Sequence, residues 1–383
     1  MARFLEKNKD YFKRTDIILW IISFVMSVFS LALLLSVSRT SNFNYFKTQF
    51  IAIVLGYVGA WLITKSDYRF LANKWYWVAG VCIFLILCTL IFGKSVTGNS
   101  GVDARAWLVL PGGITFQPSE LAKIGFIVTF SKHLDYLKTH DKLKSFTNVL
   151  LLAAHALVPM LLTHLQGDDG AAAIFFFMFL FMSFAAGVQI RYFGIVFAVL
   201  ILSVPILWNH VFAEYQKQRI LCQFNPESDP LGMGFQQIQG KLSIGSGGLW
   251  GYGLFSGPRV GYNAVPIQES DFIFSVAGEE LGFIGCIAII IILFALLFRT
   301  LQIATYSCDK IGTYMCFGFL GLIASQTIFN LGMCLSVLPV MGVTLPFFSA
   351  GGSSSACFYL GIGIIQSVYM QRQDKDVNNA LKR

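Results

Sequence analysis

Apolar residues in this chain gather into long runs that end at charges or at Gly, Pro and Asn. A bilayer core about 30 Å thick calls for roughly 20 apolar residues per helix. Runs of that order recur at 17–38, 49–64, 75–93, 117–131, 147–164, 171–187, 192–208, 271–298, 312–335 and 353–370. The pattern predicts an all-α integral membrane protein of about ten transmembrane helices, built as one polytopic domain over residues 1–383. The fourth run is the weakest, because it is short and carries Glu120 and Lys123. Without that span every later loop changes sides.

Composition points the same way. Of 383 residues, 56% are hydrophobic and 13% charged, more apolar side chain than one soluble core would bury. The net charge of +8 does not indicate a nucleic-acid partner: Lys and Arg lie in short clusters between apolar runs, not on one amphipathic face. They act as topology signals. With ten spans and both termini cytoplasmic, the inside segments hold 19 Lys and Arg against 8 outside, and in shorter loops, as the positive-inside rule requires. The basic N-terminal stretch leads into an apolar run of spanning length with no A-x-A-like cleavage site, so it reads as a retained first helix. Eight cysteines include no C-x-x-C pair and mostly sit in apolar segments as small hydrophobes. The five histidines show no metal-ligand spacing, and no G-x-S-x-G elbow is present.

This topology places the 94–115 segment outside, together with a long extracytoplasmic connection between the seventh and eighth spans, 209–270. Its Gly and aromatic content favours a functional loop over a disordered one. Within it, the glycine-rich run from Ile244 to Gly253 lacks the G-K-[ST] ending of a phosphate-binding loop and reads as a close-packed turn.

Ionisable groups inside a membrane are costly and are functional candidates by default. Asp271 falls at the outer edge of the eighth span, where a half-desolvated carboxylate can serve as a general base. The alternative is that Ser270 or Asp271 caps the helix. Glu279 and Glu280 lie about 80° and about 180° around a continuous helix from Asp271, so they are assigned to structure. Glu120 and Lys123, at i and i+3, can neutralise each other or leave the lysine facing a phosphate. The stretch from Ser349 to Ser354, with Ser353 and Ser354 at a helix start, can hold an anion or simply pack.

Taken in order, several motifs resemble the SEDS family of bacterial peptidoglycan polymerases, the RodA, FtsW and SpoVE type. They are Ala104 to Trp107, Phe116 to Lys123, Asp168 to Gly170, Pro226 through Gly253, Ser270 to Phe274, Glu279 to Gly282, Asn330 to Gly332, and Leu345 to Ser354. The short tails resemble the elongation (RodA) type. The resemblance implies polymerisation of lipid II into glycan strands on the outer face of the bacterial cytoplasmic membrane, in cell-wall synthesis, with a class B penicillin-binding protein as partner. It puts the essential acid on Asp271, as the base that deprotonates the acceptor hydroxyl. Lys123, Arg105, Arg219 and Lys241, or a divalent cation such as Mg or Mn, would then meet the departing pyrophosphate. Glu120, Gln239, Ser353 and Ser354 complete the expected substrate-binding set. Two motifs depart from the family pattern. Pro266 is followed by Ile267, Gln268 and Glu269 where Pro-Glu is usual, and the usual Gln-Pro-Asp-Leu-Gly turn is Gln166-Gly167-Asp168-Asp169-Gly170. A lipid flippase and a non-catalytic scaffold remain the competing readings.

Overall fold

The computed structural model describes residues 14–381 apart from 40, 42, 95–104, 110–114, 211, 226, 228, 230, 231 and 233, and leaves out the side chains of 207, 215, 219 and 373–381. Expected motif residues Ala104 and Pro226 lie outside the described residues. In chain order the helices are α1 (Ile17–Ser38), α2 (Tyr45–Lys65), α3 (Tyr68–Asn73), α4 (Trp75–Phe92), α5 (Pro118–Thr139), α6 (Phe146–Leu165) and α7 (Asp169–Ala186). They continue as α8 (Ile190–His210), α9 (Glu214–Phe224), α10 (Phe235–Ser246), α11 (Pro258–Gly261), α12 (Ile273–Tyr306), α13 (Lys310–Cys334) and α14 (Gly352–Leu381). A small antiparallel hairpin, β1 (Leu108–Val109) and β2 (Thr115–Phe116), precedes α5.

Eight helices, α1, α2, α4, α6, α7, α8, α12 and α13, are long and apolar enough to cross a membrane. They match eight of the ten expected runs. The remaining two runs fall on α5 and α14, of 22 and 30 residues, about 33 and about 45 Å at 1.5 Å per residue. These are more polar because protein covers them instead of lipid. Every residue of α5 from Pro118 to Ser131 except Leu121 is buried, as is α14 from Ser353 to Tyr369 except Ala356 and Leu360. Polar side chains there find partners on neighbouring helices: Tyr359 meets Ser27 at 2.6 Å, and Gln366 both donates to Asp16 O and accepts from Asp16 N at 2.8 Å. Small residues let α14 approach α2 closely. A Cβ on Gly363 would lie 2.7 Å from the Ala60 Cα.

The eighth expected run differs in two ways. Its helix starts at Ile273, not 271, and it is broken at Gly282, with φ +65° and ψ −164°. Backbone groups at membrane depth must be satisfied by protein, and the glycine-rich turn does this. Phe283 N donates to Gly248 O at 2.9 Å and Ile284 N to Leu249 O at 3.3 Å, while Tyr252 N and Gly253 N donate to Glu279 O and Glu280 O at 3.0 and 2.9 Å. Gly251, at φ +76°, is pressed so close that a Cβ would sit 2.2 Å from Glu280 O. The 209–270 connection is therefore three short helices, α9, α10 and α11, plus a turn that docks on the break.

Gly282→Ala places a Cβ 2.4 Å from Gly251 N in a backbone conformation that side chains rarely adopt. It is expected to lower the thermal midpoint of the detergent-solubilised protein sharply or to prevent its accumulation. Gly80→Ala, with nothing within 4 Å, should leave the midpoint unchanged or slightly raised.

Candidate functional site

Asp271 sits in the turn just before α12, whose N-cap position is Phe272 and not Ser270 or Asp271. Three successive carbonyls fix this turn. Glu269 O accepts from Ala350 N at 2.8 Å, Ser270 O from the Ser349 hydroxyl at 2.5 Å, and Asp271 O from Asn330 Nδ2 at 2.8 Å. Buried Asn330 also donates to Val343 O at 2.8 Å, so α13 and the 343 segment hold the turn together. Asp271 is half-buried; its carboxylate accepts from the Ser270 hydroxyl at 3.0 Å and lies against Gly342, where a Cβ would be 3.8 Å from Oδ2. Nearby, Glu269 accepts from the Tyr45 hydroxyl at 3.0 Å.

A second cluster lies where α5, α7 and α14 begin. Lys123 Nζ and Glu120 Oε1 are 2.8 Å apart, with side chains only 1% and 7% exposed. Asp168 caps α7 by accepting from Ala171 N at 2.9 Å and accepts from Gln117 Nε2 at 2.8 Å. Gln117 N in turn donates to the Ser353 hydroxyl at 3.2 Å, and Arg105 N to Gln166 O at 2.9 Å. Burial pushes the Asp168 carboxyl above its ordinary range, and the nearby Glu120 charge adds to this, while Lys123 and the hydrogen bonds from Ala171 and Gln117 pull it back. The segment 341–343 joins this cluster to Asp271, because a Cβ on Gly170 would sit 2.6 Å from Met341 O.

The other expected residues are spread around these two clusters. Gln239 Oε1 is bound by the Arg259 guanidinium, whose Nε donates to the Ser243 hydroxyl at 2.9 Å. Lys241 and Arg105 are exposed, and Ser354 donates to Gly351 O at 3.3 Å. Arg219 lies on α9, its side chain outside the described residues. Glu279 accepts from Arg259 N at 2.6 Å and Glu280 from the Ser36 hydroxyl at 2.5 Å, so each ties a different element to the broken helix, as a structural assignment requires. Among the described residues no three His, Cys, Asp or Glu side chains converge as a metal site.

Sequence reasoning named Asp168 and Asn330 only as parts of motifs. Asp168 carries the signal of an acid at a helix start, and Asn330 that of an amide inside an apolar run.

A bundle of at least eight spanning helices, with a clamped carboxylate and a buried charged cluster at the end bearing the long connection, defines a multi-pass membrane protein with a polar site at one end. The chain belongs to the FtsW/RodA/SpoVE family, described as cell cycle proteins, whose profile matches residues 11–374. It is 34% identical over 293 residues to the peptidoglycan glycosyltransferase MrdB of Escherichia coli, covering 76% of this chain and 77% of that one. To the probable peptidoglycan glycosyltransferase FtsW of Geobacter sulfurreducens it is 33% identical, covering 94% and 96%. Among solved structures, it is similar to a chain of a peptidoglycan synthase complex that coordinates polymerization and crosslinking, with TM-score 0.79, 27% identity, and 94% and 98% coverage. The RodA of Thermus thermophilus matches with TM-score 0.68, 26% identity, and 94% and 97% coverage.

Two substitutions test this geometry. Asn330→Leu strands the Val343 carbonyl, at about 1–3 kcal/mol for an unsatisfied buried group, leaves the Asp271 carbonyl with only the Cys334 thiol at 3.5 Å, and should lower the thermal midpoint accordingly. Asp168→Asn keeps the helix cap and removes a carboxyl that the folded protein protonates more readily than the unfolded chain. The wild-type contribution is complete below the unfolded value and is lost as pH rises through the folded one. The asparagine variant should therefore gain in thermal midpoint over wild type at neutral pH, and lose that gain in acid. A difference independent of pH contradicts this.

Proposed function

We propose that this protein is a peptidoglycan glycosyltransferase that polymerises lipid II into glycan strands on the outer face of the cytoplasmic membrane, serving cell-wall synthesis and cell shape. The observation that carries the reading is the half-buried Asp271 on a turn fixed by three hydrogen-bonded carbonyls, in a chain whose relatives are named for this activity. Asp271 takes the proton of the acceptor sugar hydroxyl as its oxygen attacks the donor's anomeric carbon. The bond from that carbon to the undecaprenyl pyrophosphate oxygen breaks, and the leaving group departs with the electron pair.

Arg105, Lys241 and Arg219 are the cations proposed for the pyrophosphate, with Lys123 shared with Glu120. A divalent cation fits the donor set in the manner of Mg, which is commonly held by one or two carboxylates plus substrate phosphates. Asp168 would hold it, and it would add positive charge at the leaving group. Ser353 and Gln117 keep the Asp168 region in register with α14. A class B penicillin-binding protein is the proposed partner, supported by the similarity to a chain of a synthase complex that couples polymerization to crosslinking.

The test uses purified protein in liposomes with lipid II, with and without the partner. Wild type should form polymer, and Asp271→Asn should lose at least about a hundredfold in rate, the usual scale of a general base. Equal polymer from both overturns the role of Asp271. No polymer from wild type even with partner, alongside lipid II movement across the bilayer, turns the reading to a flippase; neither activity turns it to a scaffold.

A further inference from the structure

Helix α9 is attached to the bundle chiefly through side-chain hydrogen bonds. It lays no extensive face against another helix, and Leu221 and Phe224 are exposed while Cys222 is buried. What holds it is a pair of polar hooks. At its first turn, Gln216 Oε1 accepts from Ala213 N at 3.0 Å, and Gln216 Nε2 donates to Asp169 Oδ2 at 2.6 Å. The other Asp169 oxygen accepts from His164 Nδ1 at 2.6 Å. Towards its other end, Gln223 Nε2 donates to Ser336 O at 2.7 Å, and its Oε1 accepts from Gln237 Nε2, which also donates to Leu338 O.

The two hooks mark the two ends of one segment. From Ser336 the chain runs past Gly342, which faces the Asp271 carboxylate, and its neighbours Met341 and Val343 pack on Gly170, next to Asp169. Helix α9 covers the same interval: seven residues separate Gln216 from Gln223, about 10 Å at 1.5 Å per residue. It thus bridges the segment on which the Asp271 carboxylate rests. Positions 216, 219 and 223 fall on one side of the helix at 3.6 residues per turn, so the register that aims the hooks also turns position 219, an arginine, to the bridged side.

Asp169 is one of this chain's departures from the usual family turn, which has leucine there. Its acid at the start of α7 could serve that helix's own dipole alone. The bond to Gln216 on a separate element goes beyond that need.

We propose that Asp169 is a positioning residue which, through Gln216, fastens α9 as a strap across the Asp271 segment and sets the strap over bound substrate. This deepens the polymerase reading and rests on it for the substrate. His164 supports the hook by occupying the second carboxylate oxygen, which fixes the rotamer that points Oδ2 at Gln216.

Amide hydrogen exchange of the full-length protein in liposomes, read by mass spectrometry, tests the strap without reference to activity. Asp169→Leu should speed exchange of the 214–224 amides at least about tenfold, as expected for loss of a hydrogen bond to a charged group, with α7 and α13 unchanged. Gln216→Leu should do the same, the double variant should add little, and Asp169→Asn, which keeps an acceptor for Gln216, should stay close to wild type. In lipid II polymerisation, Asp169→Leu should raise KM several-fold with kcat within about twofold. Unchanged α9 exchange in both leucine variants overturns the inference, as does faster exchange confined to α7. If wild type forms no polymer even with the partner while α9 loosens as described, the polymerase reading falls and the strap stands.

Discussion

An unpaired amide or carbonyl at membrane depth is so costly that irregular backbone survives there only where protein satisfies it, and the break at Gly282 is where this chain meets that constraint. A glycine makes the break possible, and the turn from Gly248 to Gly253 fills its hydrogen bonds from outside the helix. Once that turn is docked, Glu279 and Glu280 can reach sideways, one to the start of α11 and the other to α1. The two parts of α12 then have separate duties. The longer part after Gly282 runs among lipid-facing side chains, and the short part before it, buried from Ile273 to Glu280, carries the turn that presents Asp271.

From there the architecture separates what is fixed from what is hooked. The backbone of the Asp271 turn is gripped from α13 by Asn330 and from the 349–350 turn, which pins the direction of the carboxylate. Among the described residues, two glutamines hook helix α9 to the bundle. A chain that must admit two long lipid-linked substrates and release a polymer needs a rigid base and a cover with few packed contacts, since buried packing would have to be undone at every opening.

Most of the fold was legible because lipid imposes a single rule on length and polarity. Eight runs became spanning helices at close to their expected limits, and the fourth run looked weak in sequence because its polar residues, on α5, are covered by other helices. Asp271 stood out as an acid at the edge of an apolar run. The break did not, because Gly282 looks in sequence like any other glycine in a membrane helix, and its positive φ exists only with the turn from 248 to 253 in place. Gln239, expected at substrate, accepts from Arg259, a pairing between residues twenty positions apart that no local spacing announces. Asn330 and Asp169 were hidden for the same reason: each acts across the bundle.

The charge balance of the α5–α7 cluster decides how a departing pyrophosphate can be met. Lys123 supplies one positive charge, and Glu120, 2.8 Å away, cancels it. Asp168 adds a negative charge when ionised, and its raised pKa registers the cost of holding that charge in a partly buried place beside Glu120. Left to itself, the cluster is neutral or anionic and offers no net attraction to a phosphate. A pyrophosphate leaving group therefore needs positive charge from elsewhere: from exposed Arg105 and Lys241, from the arginine that α9 carries, or from a divalent cation that turns Asp168 from an obstacle into a ligand. The buried lysine, the foremost phosphate candidate in the sequence, is paired with Glu120 in the folded protein, so it would meet a leaving group only as a charge shared with that carboxylate.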